Sequence, residues 1–324
     1  MSTLIKPLFC LAALIYGGSM AAFSQTAPYP SKPIRFVVGF PAGSSIDAVL
    51  RIVLDDIRER TSSTLIIDNR PGALGSIGVE AVAKSSPDGY TMTASSSATH
   101  SSGPFLLKNI NYDAIKDFSH VVRMVHFDVI LVTNPSQGLG SVKRLIEQAK
   151  AKPANLFYGY GSGTGQVVAA AFARSADIDV KGVPYKGQPL AITDLMGGQI
   201  NFVTSDLGAV LSQIKAGKLI AIGTASEKRS SIMPSVPTFS ELGLKDLELP
   251  GWIGIAGPAN LPSNVTMWWD LQINASLAKE AVIGKLNTIG MESDPLSGES
   301  FQKFVNSQLD KWGKQITSAG IKAE

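Results

Sequence analysis

Ile34-Arg-Phe-Val-Val-Gly-Phe-Pro-Ala-Gly-Ser-Ser-Ile-Asp47 sets the reading of the chain. Ile34 to Val38 has strand character, Gly39 to Gly43 forms a loop, and the hydroxyls of Ser44 and Ser45 open a helix through Leu50, Val53, Leu54 and Ile57. That order aims free backbone N–H groups and the positive end of a helix dipole at one point, where an anion can sit. A carboxylate leaving water needs about two or three charge-assisted hydrogen bonds, each roughly 1.5–3 kcal/mol. Amides near Gly43, Ser44 and Ser45, with two hydroxyls, are of the right number and kind. The same residues also read as a plain helix start, with Ser44 or Ser45 as the cap and Asp47 in the first turn.

Outward from this stretch the rhythm repeats. A strand at Thr64 to Asp68, a helix at Ser76 to Lys84 and a strand at Thr91 to Ser95 complete a first set. A second set runs Val129 to Thr133, helix Val142 to Lys150, strand Asn155 to Tyr160, helix Gln166 to Ala176, strand Val180 to Pro184 and helix Pro189 to Met196. It ends with strand Ile200 to Thr204, helix Leu207 to Ala216 and strand Leu219 to Thr224. Strands alternating with helices predict an α/β fold with parallel sheets in two domains. The tail, with strand Trp252 to Ala256 and helices near Val265 to Ala278 and Ser300 to Ser318, is too small for a third core and is expected to pack on the first set. This predicts a discontinuous first lobe, 25–126 and 250–324, around a second lobe, 127–249. Hinge strands are expected at Val125 to Val132 and Leu247 to Ile255.

Residues 1–24 read as a removable export signal: Lys6 is followed by an apolar run from Pro7 to Tyr16 and small residues ending in Ala22-Phe23-Ser24, placing the mature start at Gln25. The run is too short to span a bilayer, and Phe9 before Cys10 is too large for a lipoprotein signal. Cys10 is the chain's one cysteine, so disulfides, thiol nucleophiles and cysteine zinc sites are not expected in the mature protein. With 29 basic and 26 acidic residues, the charge balance argues against nucleic acid as a partner.

Gly159-Tyr-Gly-Ser-Gly-Thr-Gly-Gln166 repeats the strand–loop–helix design. It matches neither the dinucleotide nor the Walker spacing, so a small anion at Thr164, Gly165 and Gln166 fits better than a nucleotide; a tight glycine turn is the bland alternative. On the binding reading, a bulky residue at Gly165 abolishes binding without unfolding. Ser95-Ser-Ser-Ala-Thr-His100 ends another strand, where ligands of open α/β sheets gather. His100 is there either to bond a ligand or as a structural histidine. Asp206 either caps the helix from Leu207 or faces the cleft, where it would repel a carboxylate unless it met an ammonium or hydroxyl. Lys186 is either a cation near the cleft or a solvated turn residue, and Phe40, Tyr160, Tyr185 and Trp252 are candidate apolar walls. His100, His120 and His126 lack metal-ligand spacing. There is no G-x-S-x-G elbow, no H-E-x-x-H and no thiol, so neither an enzyme nor a metal or other cofactor is expected.

Several stretches carry a family resemblance: Asp68-Asn-Arg-Pro-Gly-Ala-Leu-Gly-Ser-Ile-Gly78, Ser86-Pro-Asp-Gly-Tyr90, Tyr112-Asp-Ala-Ile-Lys-Asp-Phe118, Val183-Pro-Tyr-Lys-Gly187, Asp194-Leu-Met-Gly-Gly-Gln199, Ile214-Lys-Ala-Gly-Lys218 and Trp312-Gly-Lys. In this order they resemble the Bug proteins, extracytoplasmic receptors of tripartite tricarboxylate transporters. The resemblance implies a two-lobed Venus-flytrap fold of the type II periplasmic binding proteins. It implies a monomer that closes on an organic carboxylate, aromatic or aliphatic, and delivers it to a membrane permease. A sensor module feeding a membrane kinase is the alternative role, and a small-acid enzyme a more remote one. Carried over by the resemblance, Phe40, Ala42, Gly43, Ser44 and Ser45 with Ser95, Ser97, Thr99 and His100 hold a carboxylate. Tyr160, Ser162, Thr164, Gly165 and Gln166 with Tyr185, Lys186, Ser205 and Asp206 read the remainder. The chain departs from the common family pattern at Gly43-Ser44 and Ile46-Asp47, and at Thr204-Ser205-Asp206, where the acidic group is displaced by one residue.

Overall fold

A computed structural model of the chain describes residues 29–323, and the export signal and its cleavage point lie outside them. β1 (Ile34–Val38) is an apolar run whose side chains are nearly all buried, and α1 (Ser45–Thr61) covers it with Val49, Leu50, Val53, Leu54 and Ile57. These positions fall on one stripe of a 3.6-residue repeat, which is why this segment turns helical against a sheet. β2 (Leu65–Asn69), α2 (Ser76–Ala83) and β3 (Thr91–Ser96) complete two strand–helix–strand crossovers, so β2, β1 and β3 lie side by side and parallel. A wide turn at Ala98–Ser102 runs into the short α3 (Gly103–Leu106), and β4 (Phe118–Phe127) follows.

The chain enters the second sheet at β5 (Val129–Thr133), with only Asp128 between. There α4 (Val142–Ala151), β6 (Phe157–Tyr160), α5 (Gly163–Ser175), β7 (Lys181–Pro184), α6 (Gln188–Met196), β8 (Phe202–Asp206), α7 (Leu207–Lys215) and β9 (Ile220–Thr224) follow. It returns to the first sheet as β10 (Gly251–Pro258), and α8 (Ser263–Leu277), α9 (Glu280–Thr288), β11 (Glu292–Ser297) and α10 (Gly298–Ser318) end it. The strand orders are β11-β4-β10-β3-β1-β2 and β7-β6-β8-β5-β9.

Both sheets are mixed, a correction to the parallel sheets expected. β10 runs antiparallel to β3 and β4, and β5 antiparallel to β8 and β9. The reason is topological: strands of the parallel βαβ core are entered from the same end, whereas a strand arriving from the other sheet comes from the opposite end. Each sheet therefore shares one plan, three parallel strands flanked by an incoming antiparallel one. The two crossings lie against each other, because buried Ser226, just past β9, donates its hydroxyl to the Asp128 carboxylate.

The first core is anchored by Trp269 of α8, fully buried, its ring edge-on to Phe36 at 5.1 Å and its Nε1–H donating to the Tyr29 hydroxyl at 2.8 Å. Polar clamps secure α8 and the turn after it to α1: Ser276 Oγ and Lys279 Nζ donate to Asp56, and Arg60 donates to the Gln272 carbonyl. α10 joins both units, since Gln315 donates to the Asp246 carbonyl at 2.6 Å and accepts from Arg174 of α5.

Candidate functional site

In a sheet of order 2-1-3, the connections from adjacent strands 1 and 3 leave in opposite directions, and the carboxyl ends of these strands open a crevice. Here those ends are the β1 and β3 termini in one sheet and the β6 and β8 termini in the other. A cavity of about 1080 Å3 lies where they meet.

Phe40, Ala42, Gly43, Ser44 and Ser45 line it from the first sheet, joined by Ser97; Ser162, Thr164 and Asp206 line it from the second. Ser44 does both things its position allows: its Oγ accepts from the Asp47 N–H as the cap of α1, while the residue borders the cavity. The loop before it is held by Asp47. That carboxylate accepts from Gly43 N–H at 2.8 Å, Arg51 Nε at 2.8 Å and Asn69 Nδ2 at 3.0 Å, and Asn69 also donates to the Phe40 carbonyl. Burial raises the Asp47 pKa, but these donors outweigh it and leave the group below the ordinary carboxylate range. Asp47 is thus a neutralised strut for the loop.

Across the cleft, α5 begins at Gly163, three residues earlier than the sequence pattern places it, with Ser162 as its cap accepting from Gly165 N–H at 3.1 Å. Gln188, at the start of α6, donates its side-chain amide to the same Ser162 oxygen at 3.1 Å. Asp206 occupies the cap position of α7 but makes no side-chain capping bond, and it lines the cavity. Burial raises its carboxyl to about 6, and a hydrogen bond with Gln188 opposes that shift.

Other expected site residues lie elsewhere. His100 is fully buried, its ring packed on Phe118 at 4.8 Å and His120 at 5.2 Å, with Nδ1 bonded to Thr99 Oγ1. Ser95 and Ser205 are buried strand residues whose hydroxyls have no hydrogen-bond partner in the structure. Tyr185 donates its hydroxyl to Asp194 at 2.8 Å, and Lys186 is exposed. Tyr160 packs beside Tyr158, and Gln166 follows the first turn of α5; neither borders the cavity. Trp252, offered as an apolar wall, is a fully buried core residue packed on Phe301. A Cβ at Gly165 would stand 2.7 Å from the Thr204 carbonyl oxygen. A bulky residue there therefore breaks the packing of α5 on β8, which corrects the expectation of lost binding in an intact fold. Further segments line the cavity without a sequence expectation for them, chief among them Pro71 to Gly75, the α7 face from Gly208 to Lys215, and Thr288-Ile289. The first lies in a glycine-rich motif whose turn chemistry was visible. The others are ordinary helix residues that only the packing of two units brings to the cleft.

The two buried histidines predict an acid weakness. Burial, with a smaller contribution from neighbouring His120, holds His100 well below its usual value; burial takes His120 to about 4, partly offset by its bond to the Ala114 carbonyl. An unfolded histidine titrates near 6.5, so below about pH 6.5 the unfolded chain binds protons the fold refuses, and stability falls with pH. His120→Gln keeps the donor to Ala114. Between pH 7.5 and 5 the wild type is expected to lose about 2 kcal/mol more than this variant in urea titrations. His126 and Asp206 shift the opposite way but are common to both proteins, so they cancel in the difference, which reports the loss of His120 together with its small effect on His100.

Among the described residues, no group of three or more His, Cys, Asp or Glu side chains is placed to hold a metal, and no helix is long and apolar enough to cross a membrane. The model of the tripartite tricarboxylate transporter family receptor matches residues 49–321. Protein BugT of Bordetella pertussis is 29% identical over 318 residues, 97% of this chain and 98% of its own. The solved structure of R. palustris Rpa4515 with adipate superposes with a TM-score of 0.82 at 27% identity, covering 91% of this chain and all of that one (100%). Periplasmic binding protein BugD gives a TM-score of 0.78 at 26% identity, over 91% of this chain and 100% of its own. The two mixed sheets are thus those of the two-lobed periplasmic binding proteins, and the chain belongs to the tripartite tricarboxylate transporter receptor family, also called the Bug family, whose members are solute-binding receptors rather than enzymes.

Proposed function

We propose that this receptor works in the periplasm as a monomer, captures one organic carboxylate by closing its lobes, and delivers it to the permease of a tripartite tricarboxylate transporter. One observation carries the reading: the N-termini of α1 and α5, from opposite sheets, border a single cavity where, among the described residues, the only basic lining side chain is Lys215, exposed at the far end of α7. Backbone amides and hydroxyls can take a carboxylate there without a buried cation. Contact with both lobes is available only when they are together, and this supplies the differential affinity that closure requires. Phe40, Leu74, Phe127, Leu211, Ile253 and Ile289 add apolar wall, and the volume accommodates a benzoate ring as readily as a six-carbon diacid. Adipate in the R. palustris relative supports the aliphatic end of that range.

A thermal-shift screen of the mature chain against adipate, succinate, glutamate, benzoate and phthalate tests this. A ligand bound at micromolar affinity, about −8 kcal/mol, raises the melting temperature as its concentration passes the Kd. If no carboxylate moves the melt while a neutral or cationic solute does, the proposal is wrong.

A further inference from the structure

We infer that Asp206 reads a hydrogen-bond donor on the bound solute, so that this receptor prefers a carboxylate bearing a hydroxyl or ammonium group over the same skeleton without one. The inference rests on the carboxylate reading above and adds which second group the solute carries. Asp206 stands at the carboxyl end of β8, and its backbone starts α7. Its side chain leaves the helix uncapped and faces the cavity instead.

There it is poorly matched. No lysine or arginine forms an ion pair with it among the described residues, and Lys215 lies nine residues along α7, about 13 Å away at 1.5 Å per residue. The side chain that favours its charged form is the neutral Gln188 amide, whose own hydrogen bond goes to Ser162. An ionised carboxylate has about four acceptor positions, so most of its capacity is left for whatever fills the cleft. The arrangement is also rigid. Ser162 is locked by Gly165 N–H and holds the Gln188 amide, which lines the cavity wall together with Asp206. A second ligand carboxylate placed beside Asp206 would meet a like charge, whereas a hydroxyl or ammonium would donate to it.

Two matched sets test this by calorimetry on the mature chain at pH 7.5: succinate, malate and aspartate, and benzoate, 4-hydroxybenzoate and 4-(aminomethyl)benzoate. In at least one set the donor-bearing members are expected to bind about 10- to 100-fold more tightly than the parent acid, the range of a hydrogen bond to a charged group. In Asp206→Leu the preference is expected to fall below about twofold while the parent acid binds as well or better. Should Asp206→Leu melt too early to be measured, Asp206→Asn serves: it keeps an acceptor, so hydroxyl preference persists and ammonium preference drops about tenfold. A wild type that binds the parent acids as tightly as their donor-bearing partners, a donor preference unchanged in Asp206→Leu, or an ammonium preference unchanged in Asp206→Asn overturns the inference and leaves carboxylate binding standing. If neither set binds although other carboxylates do in the thermal screen, the inference also falls. Failure of every carboxylate removes the proposed function itself.

Discussion

Ser45→Asp is expected to leave the fold intact and to cut carboxylate affinity by about 100-fold. Ser45 is the first residue of α1 and borders the cavity. For the helix alone the change is favourable, since an acid in the first turn meets the positive end of the dipole for about 0.3–1 kcal/mol. Asp47, the nearest existing acid, is already neutralised by Arg51, so the second negative charge meets little repulsion within the helix. For the ligand the change is costly. Two unit charges about 4 Å apart at an effective dielectric near 20 repel by about 4 kcal/mol; water in the cleft screens part of this, and about 2.8 kcal/mol of loss remains, or about 100-fold. Melting curves and calorimetry with the best ligand of the thermal screen separate the two effects. Unchanged affinity in a normally melting Ser45→Asp would place the carboxylate away from the start of α1.

Gly39→Ala is expected to cost about 3 kcal/mol or more and to weaken binding with it. A Cβ at Gly39 would stand 2.1 Å from the Gly75 carbonyl oxygen, and one at Gly78 would stand 2.8 Å from Gly39 itself. Both obstacles are backbone, with no flexible side-chain end to yield. The turn above is already demanding: Gly75 has φ +92° and faces the Phe40 ring, and Ala73 and Leu74 also have positive φ, at 44° and 51°. That turn lies directly on the end of β1 and forms part of the cavity wall, so lifting it changes the cleft as well as the core. Overpacking costs about 1–3 kcal/mol where side chains can shift, and more is expected where they cannot. Gly43→Ala is the control, because Gly43 has φ +81° but nothing within 4 Å of its Cβ position; about 1 kcal/mol is expected there. Equal urea midpoints for the two variants would show that Gly39 does not carry the close approach.

Local elements were legible wherever one short stretch contained its own cause. β1 and β5 lie at Ile34 to Val38 and Val129 to Thr133 as the sequence predicts, since each is an apolar run bounded by turn residues. α1 was visible from its stripe and its serines. Other elements left little trace. β11, Glu-Ser-Asp-Pro-Leu-Ser, has no strand pattern and exists because β4 offers it an antiparallel partner across a bulge. α9 and most of β4 also carry no local pattern that sets them apart, and β4 is legible only where its end enters the expected hinge. Within the site, the serine-capped helix starts were legible because loop and cap are neighbours in sequence. The burial of His100 was not, because Phe118, His120 and Trp252, which enclose it, come from distant strands.

By itself the sequence determined the alternation of strands and helices, the glycine loops between them and the hydroxyls that start α1 and α5, because hydrogen bonds and side-chain periods act over a few residues. Only the tertiary structure decided which strand ends face one another, that β5 and β10 run against their neighbours, that Asp206 turns from its helix to the cleft, and that Gly39 lies under Gly75. Those outcomes depend on strand order and on backbones packing at van der Waals distance across tens to hundreds of residues. No local pattern records them.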